Sequence, residues 1–298
     1  MNFWQWATYR QLLCYLDPKR SNRHVKPAGS DSIEAPWKGT GRYRKDAMDK
    51  AEERAVQIQR DYYADTAHRY DDLHITEDQE HNFALQFMIS TIKYLGIRSI
   101  LDIGSGTGRA LFQIKSELPG VTAVGIEPSA KLREVGHSKG LQKTELVDGD
   151  AMNLAYGDSS FDLVCEFGAL HHIPVPSKAV SEMLRVSRRA IFISDCNNFG
   201  QGGRLSRLFK QTINAAGLWP LADKIKTRGK GYSVSEGDGL AYSYSVFNDY
   251  RQIKKLCKSV HMLNTLDSGP NLYRTATHVA VLGVKHPLDT MDRPRAIG

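Results

Sequence analysis

The chain has 298 residues, with 40 lysines and arginines against 33 aspartates and glutamates, so its formal net charge is +7. That length allows one large α/β domain or two small ones. Hydrophobic residues make up 41% of the sequence and charged residues 24%. These values exclude a wholly disordered, collagen-like or coiled-coil chain.

The charge is distributed unevenly along the chain. Residues 1–45 carry 9 basic and 3 acidic residues, and residues 204–230 carry 7 basic and 1 acidic residue. Residues 46–203 carry 16 basic and 23 acidic residues, and residues 231–298 carry 8 and 6. The net charge of +7 therefore combines one long acidic stretch with two short, strongly basic ones.

Cysteine spacing and hydropathy bear on the expected compartment. The four cysteines form no CxxC pair, so we expect neither a zinc site nor any other metal site. Cys165 and Cys196 end apolar runs and are expected to be buried thiols, which suits a reducing cytoplasm. No apolar run approaches the ~20 residues of a spanning helix, and residues 1–16 lack the features of a signal peptide. The sequence therefore predicts a cytoplasmic protein.

The first third of the chain is predicted to be an arm followed by helices. Residues 1–45 are rich in Pro, Gly, Ser and charge and are predicted to be a basic, partly disordered arm. Helical patterns run from residue 46 to about 73 and over 77–95, where Gly96 ends the second one.

Short apolar strands then alternate with helices. Strands are predicted over 99–103, 121–126, 144–147, 161–167 and 190–194, and helices over 109–118, from Ser129 as N-cap, and over 177–186. This alternation is typical of a doubly wound, mostly parallel sheet.

The rest of the domain is predicted to contain an insertion and a final strand pair. Residues 197–246 form a long insertion after the fifth strand, with a basic amphipathic helical region over 203–225. A helix over 245–258 precedes strands over 260–266 and 275–285, which must be antiparallel because no crossover joins them. We therefore predict one α/β domain over 46–286 with a seven-stranded sheet, a C-terminal antiparallel strand, N-terminal helices and this insertion, and a tail over 287–298.

A glycine-rich turn is the strongest local signal. The strand ending at Ile103 leads into Gly104-Ser105-Gly106-Thr107-Gly108, and a helix begins at once. Such a turn lets a ligand approach the backbone closely beside a helix N-terminus. The dinucleotide fingerprint G-x-G-x-x-G/A would need a small residue where Arg109 stands. The pattern therefore argues against a dinucleotide cofactor.

This turn resembles motif I of the class I S-adenosylmethionine-dependent methyltransferases, in particular the group that acts on small molecules. Four further motifs in the sequence resemble other motifs of the same family. The resemblance covers roughly residues 60–285. The further motifs are Glu127-Pro128-Ser129 after strand 2, Gly149-Asp150-Ala151 after strand 3, Phe161–Val164 followed by Leu170–His172, and the upstream set Tyr63, Ala67, Tyr70 and Asp71.

The resemblance implies S-adenosylmethionine as cofactor. Glu127, about 25 residues past the glycine strand, can accept from both ribose hydroxyls. Asp150 can accept from the adenine amino group, and Asp102 lies where the methionine ammonium would be. The cofactor-binding residues expected are Asp102, Gly104, Ser105, Gly106, Gly108, Glu127, Pro128, Asp150, Ala151, Glu166, Phe167 and Tyr63. The plain structural alternatives are turn residues at Asp102 and Asp150, a helix-start acid at Glu127 and a helix-face aromatic at Tyr63.

Histidines after strand 4 are the candidate catalytic residues. Methyl transfer to a hydroxyl is helped by a general base, and the ordinary pKa of histidine suits that role. We expect His171 or His172 to act, with Asp195 as the second candidate; the alternative is that both histidines are core residues without chemistry.

The acceptor is expected to bind at the insertion. Its basic and apolar residues predict a helix pair packed over the active site, or a cationic surface for a phosphate-bearing, glycolipid-like or membrane-adjacent acceptor. Small metabolites, sugars, lipid-linked glycans and quinone-like compounds all stay open as acceptors. Nucleic acid is not favoured, because no RRM, KH or helix-turn-helix signature is found. The rival functions are a non-catalytic cofactor-binding module and a dinucleotide-dependent oxidoreductase. The sequence does not specify an oligomeric state.

Overall fold

The computed structural model describes residues 54–67, 70, 79–235, 237–266 and 269–285. The predicted basic arm (1–45) and tail (287–298) lie outside these ranges. A helical segment over 54–67 is followed by the helices α1 to α7 and the strands β1 to β9.

The helices and strands alternate through the first half of the domain. In chain order they are α1 (Gln79–Leu95), β1 (Ser99–Ile103), α2 (Arg109–Glu117), β2 (Thr122–Ile126), α3 (Ala130–Ser138), β3 (Leu146–Val147), β4 (Phe161–Phe167), a 3₁₀ turn (Leu170–His172), α4 (Pro176–Val186) and β5 (Ser187–Cys196). The second half contains α5 (Arg204–Ala215), α6 (Trp219–Lys226), β6 (Tyr232–Ser235), β7 (Gly239–Tyr242), a 3₁₀ turn (Val246–Asp249), α7 (Tyr250–Leu256), β8 (Ser259–Asn264) and β9 (His278–Val284).

Seven strands form one sheet in the order β3-β2-β1-β4-β5-β9-β8. The first five run parallel, and β9 pairs antiparallel with both β5 and β8. The predicted doubly wound sheet and its C-terminal antiparallel strand are therefore confirmed. The strand order reverses between β1 and β4, and in such sheets ligands bind beyond the carboxyl ends of the strands at that point.

The sheet is covered on both faces by apolar clusters. One cluster packs α1 and α2 against side chains such as Ile100 and Phe192, and the other packs α4 and α7 against Leu101 and Ile191. Neighbouring residues of one strand thus enter opposite clusters, because side chains alternate across a strand. This rigid centre holds the loops at the carboxyl edge.

The insertion departs from the sequence prediction in one element. The basic helical region forms two helices, α5 and α6, separated at Gly217, and a β-hairpin of β6 and β7 follows them. The hairpin was not predicted, because its strands are only four residues long and the apolar alternation of Tyr232–Ser235 covers too few positions to indicate a strand by itself.

Smaller differences concern element ends and caps. The helix expected over 245–258 is a 3₁₀ turn continuing into the shorter α7, and β5 is longer than expected at both ends. Ser129 is the N-cap of α3, but its side chain makes no capping hydrogen bond, contrary to expectation. Cys165 and Cys196 are buried thiols, as predicted. Among the described helices, none is long and apolar enough to cross a membrane.

Candidate active site

Two adjoining cavities lie at the carboxyl edge of the parallel strands. The larger has a volume of about 500 Å³ and the smaller about 180 Å³. Six residues line both cavities and mark where they meet: Tyr63, Tyr70, Gly104, Phe167, Gly168 and His172. The two cavities can therefore hold two parts of one ligand, or two ligands in contact.

The glycine-rich turn lines the region where the two cavities meet, through Gly104. Gly104 has a φ of 67°, and a Cβ added there would lie 2.5 Å from the Cβ of Ala169. Gly108, the N-cap of α2, has a φ of 84°. Because L side chains rarely adopt this left-handed backbone, glycine is needed at both positions.

Glu127 places a buried carboxylate beside this turn. Its two oxygens accept hydrogen bonds from the backbone N–H groups of Gly106 (3.0 Å) and Ser129 (2.8 Å). Burial raises the pKa of Glu127 to about 7, although these two hydrogen bonds and Arg133 act in the opposite direction. The carboxylate lines the smaller cavity and keeps lone pairs for a ligand's hydroxyl groups.

Asp102 is a second buried carboxylate, on the side of the larger cavity. Its Oδ2 accepts from the hydroxyl of Ser105 at 2.6 Å, and its Oδ1 lies 3.6 Å from the Cys165 thiol, which donates to it. Burial raises the pKa of Asp102 to about 6. Asp102 therefore holds the turn through Ser105 and also faces the cavity, so its structural and ligand-binding interpretations are compatible.

Asp150 lies at the exposed edge of the smaller cavity. Its Oδ1 accepts from the backbone N–H of Met152 at 2.8 Å, as a turn residue would. Pro128 and Ala151 line the same cavity, and the apolar side chains of Ile126 and Leu132 complete it. This cavity thus combines an apolar interior with carboxylates at its edge.

Three of the expected cofactor residues line neither cavity. Gly106 and Gly108 act through the backbone of the turn, and Glu166 is completely buried behind it. Glu166 Oε2 accepts from the N–H groups of Ala169 (2.8 Å) and Leu170 (3.3 Å), whereas its Oε1 has no hydrogen-bond partner among the described residues. Burial and the nearby Asp195 carboxylate hold the pKa of Glu166 well above its ordinary value. Glu166 therefore anchors the loop after β4.

His171 and Asp195 form a hydrogen-bonded pair at the end of β4 and β5. Asp195 Oδ1 accepts from His171 Nδ1 at 2.7 Å, and Asp195 Oδ2 accepts from the Leu170 N–H at 2.9 Å. Burial acts to lower the pKa of His171, but the carboxylates of Asp195 and Asp238 outweigh it and hold this pKa well above its ordinary value. Burial acts to raise the pKa of Asp195, yet His171 lowers it to about 2. The three predicted catalytic residues thus lie together, with Asp195 behind the histidines.

The unpredicted hairpin brings Asp238 to the same histidines. Asp238 Oδ2 lies 3.4 Å from His171 Nε2, and Asp238 Oδ1 lies 3.3 Å from His172 Nε2. His172 Nδ1 lies 2.6 Å from the Leu240 carbonyl oxygen and 3.1 Å from Gln59 Nε2. We name His171, His172 and Asp238 the histidine–aspartate cluster; all three line the larger cavity.

Sequence reasoning missed Asp238 and Gln59. Asp238 is in the turn of the hairpin, and the sequence Gly237-Asp238-Gly239 is a turn signal that could have indicated a hairpin there. Gln59 is on the helical segment 54–67, and its Oε1 accepts from the Leu240 N–H at 2.5 Å. No sequence pattern marks this contact, because 181 positions separate the two residues.

The sheet order, the glycine-rich turn and the acid at the end of β2 together define the fold of the class I methyltransferases. Residues 101–192 match the family model described as a methyltransferase domain. The resemblance to the class I S-adenosylmethionine-dependent methyltransferases is thereby confirmed over residues 101–192.

Individual relatives match only part of their lengths. The chain is 35% identical over 89 residues to a demethylmenaquinone methyltransferase of Roseiflexus castenholzii, covering 30% of this chain and 37% of that protein. It is 33% identical over 105 residues to a phosphatidylethanolamine N-methyltransferase of Cereibacter sphaeroides, covering 34% of this chain and 51% of that protein. The chain thus spans about half, or less, of these relatives.

Among solved structures, the fold is similar to that of magnesium protoporphyrin IX methyltransferase from Synechocystis PCC 6803 with bound SAH. The TM-score is 0.50 at 15% identity, and the match covers 78% of this chain and all of that one (100%). At this identity the likeness concerns the fold alone.

Proposed function

We propose that this chain transfers a methyl group from S-adenosylmethionine to an oxygen of a small-molecule or lipid-linked acceptor. The observation that carries the proposal is the pair of joined cavities. The buried Glu127 carboxylate lines the smaller cavity, and the buried Asp102 carboxylate and the histidine–aspartate cluster line the larger one. The methyltransferase domain match over residues 101–192 supports the same reaction class.

The residues present fit this cofactor. S-adenosylmethionine carries a sulfonium and an ammonium against one carboxylate, so an acidic pocket suits it better than a basic one. Glu127 would accept from its ribose hydroxyls, and the apolar interior of the smaller cavity would take its adenine ring. Asp102 would face the methionine part from the larger cavity. When bound, the cofactor supplies an electrophilic methyl group.

The chain's own residues would align the acceptor and handle its proton. Tyr63 lines both cavities, and its ring packs edge-on against those of Tyr70 (5.7 Å between centroids) and His172 (5.9 Å). With a ligand bound, these rings would help to exclude water from the junction, which favours displacement between aligned groups. The histidine–aspartate cluster lines the larger cavity, where a hydroxyl acceptor has to lose its proton.

The rival functions differ in what they require. An oxidoreductase would need a dinucleotide site, but the position that should be small is Arg109, and residues 101–192 match a methyltransferase domain. A non-catalytic module would bind the cofactor without turnover. An amine is the alternative acceptor, since one relative is named as an N-methyltransferase.

The surface of the insertion supports an acceptor delivered from an anionic membrane. Neither α5 nor α6 has a buried residue, and Leu205 (83% exposed) and Phe209 (66%) face solvent among basic residues. Exposed apolar and basic residues on one amphipathic helix are typical of interfacial binding. Lys226, at the end of α6, lines the larger cavity, so this surface adjoins the proposed acceptor site.

Methyl transfer from labelled cofactor tests the proposal directly. The full chain is incubated with tritium-labelled S-adenosylmethionine and with separate lipid and aqueous cell extracts, and the labelled product is identified. We expect label in the lipid fraction. Cofactor binding without label in either fraction would favour the non-catalytic module.

Two variants separate catalysis from cofactor binding. We expect His171→Ala to lower turnover by about 100-fold or more while cofactor affinity, measured by calorimetry, changes little, because the histidine faces the acceptor. His261→Ala, an exposed histidine on β8, serves as the matched control. Unchanged turnover in both His171→Ala and His172→Ala would exclude the histidines from the reaction.

A further inference from the structure

In the histidine–aspartate cluster, the Nε2 atoms of two histidine rings each lie close to an oxygen of one carboxylate. The distances from Asp238 to His171 Nε2 and His172 Nε2 are 3.4 and 3.3 Å. Charge-assisted N–H···O bonds are normally about 2.7–2.9 Å long. Two ligands bound tetrahedrally at about 2.0–2.1 Å from an ion lie about 3.3–3.4 Å apart. The observed spacing is longer than such bonds and matches that of neighbouring ligands on one metal ion.

The Nδ1 atom of each histidine ring already has a hydrogen-bonding partner within the protein. His171 Nδ1 faces the Asp195 carboxylate at 2.7 Å, and His172 Nδ1 faces the Leu240 carbonyl at 2.6 Å. If each ring donates from Nδ1 to these acceptors, its Nε2 faces Asp238 as an N–H when the ring is protonated and as a lone pair when the ring is neutral. A lone pair opposite a carboxylate is repulsive unless a cation, or a second proton on each ring, lies between them.

The groups behind the rings match the surroundings of metal-binding histidines. Such histidines usually donate their second N–H to a carboxylate or a backbone carbonyl, which fixes the tautomer and the ring orientation. Asp195 is completely buried and is held by the N–H groups of Leu170 (2.9 Å) and Cys196 (2.5 Å). The His171 ring thus contacts the fixed Asp195 carboxylate through Nδ1, and the His172 ring contacts the Leu240 carbonyl.

We propose that His171, His172 and Asp238 bind a divalent transition-metal ion of the zinc class through two imidazole nitrogens and one carboxylate. The potential ligand atoms of these three residues all lie within 4.8 Å of one another. Two histidines and one carboxylate leave positions open on the metal, as in catalytic rather than structural sites. All three residues line the larger cavity.

The metal site itself does not depend on the proposed function. The role of the metal in the reaction does rest on it. A Lewis acid facing the acceptor would bind a hydroxyl oxygen and lower the pKa of that hydroxyl. In that case the histidines act as ligands rather than as the general base. The expectation of no metal site, drawn from cysteine spacing, did not consider histidines joined by the fold.

Binding of the metal alone tests the site. The full chain, treated with a chelator and dialysed, is titrated with Co²⁺ by visible absorption and with Zn²⁺ by calorimetry, without cofactor or acceptor. We expect one ion per chain, with affinity falling at least tenfold in His171→Ala and in Asp238→Asn. We expect Asp195→Asn to weaken binding about 10–100-fold, since it alters only the group behind a ligand.

Control variants distinguish a loss of metal binding from a loss of folding, and cofactor affinity tests the proposed function separately. Asp238 is 49% exposed on its side chain, so Asp238→Asn should keep its thermal unfolding midpoint, and His261→Ala should bind the metal like the parent. Cofactor affinity is measured on the same proteins. Metal binding without cofactor binding would contradict the proposed function alone. Absence of binding by the parent, or equal binding by Asp238→Asn, would overturn the metal site.

Discussion

At the scale of single residues, the buried carboxyl of Asp102 makes the stability of the protein depend on pH. Its carboxyl is buried at the bottom of the site, and burial raises its pKa from 3.8 to about 6. The folded state therefore binds this proton more tightly than the unfolded state does. The stabilisation this provides is present below about pH 4 and is lost as the pH rises through 6.

Replacing this carboxyl should stabilise the protein at alkaline pH. A pKa raised from 3.8 to about 6 corresponds to a free energy of about 3 kcal/mol. We therefore expect Asp102→Asn to raise the free energy of unfolding by about 1–3 kcal/mol at pH 8. We expect no gain at pH 4. Urea unfolding without cofactor measures the effect, and lower stability than the parent at pH 8 would contradict it. Calorimetry should show weaker S-adenosylmethionine binding by the same variant.

At the scale of elements, the β6–β7 hairpin depends on a distant helix. Gln59, on the helical segment 54–67, accepts from the Leu240 N–H. A Cβ at Gly239 would lie 2.6 Å from the Tyr62 ring of the same helix, so the two elements are closely packed. The hairpin carries Asp238, so the helix helps to position the histidine–aspartate cluster.

Removing this contact should loosen the hairpin. Gln59→Ala leaves the buried Leu240 N–H without its acceptor, and we expect a loss of about 1–3 kcal/mol in the free energy of unfolding. Hydrogen exchange at the Leu240 amide should accelerate. Gln57→Ala, an exposed residue of the same helix, is the control, and Gln59→Glu should retain part of the protection because it keeps an acceptor oxygen. Equal exchange rates at Leu240 in Gln59→Ala and the parent would refute this dependence.

At the scale of the whole molecule, acidic and basic residues are concentrated in different segments of the chain. The acidic stretch over 46–203 contributes Asp102 and Glu127 to the proposed cofactor side. The basic stretch over 204–230 forms α5 and α6, where large apolar side chains are exposed. The net charge of +7 thus combines a core suited to a cationic cofactor with a surface suited to an anionic partner.

Vesicle binding should depend on both kinds of residue on this surface. We expect the chain to sediment with vesicles containing anionic phospholipid at low salt and less at high salt, because surface charge is screened. The double variant Leu205→Ser, Phe209→Ser should lose most of this binding. Leu256→Ser, which replaces an apolar residue 54% exposed on α7, should not. Failure of the parent to bind at low salt would exclude the membrane surface.

The sequence by itself determined the sheet, the glycine-rich turn and the expected positions of the acids. These features follow from local periodicity and from residues such as Gly104 and Gly108, whose backbone angles only glycine tolerates readily. The parallel alternation also placed Asp102, Glu127, His171 and Asp195 at one edge, since the carboxyl ends of parallel strands meet there.

Only the tertiary structure decided which of these residues share a cavity and what faces them. Glu166 was expected to give a main-chain contact to the cofactor, and the structure adds that its side chain is buried and holds the loop after β4. Asp238 approaches His171 and His172 because a four-residue strand pair folds back across more than 60 positions, and Gln59 supports it from the other end of the chain. Such contacts depend on packing between distant elements, which local pattern does not encode.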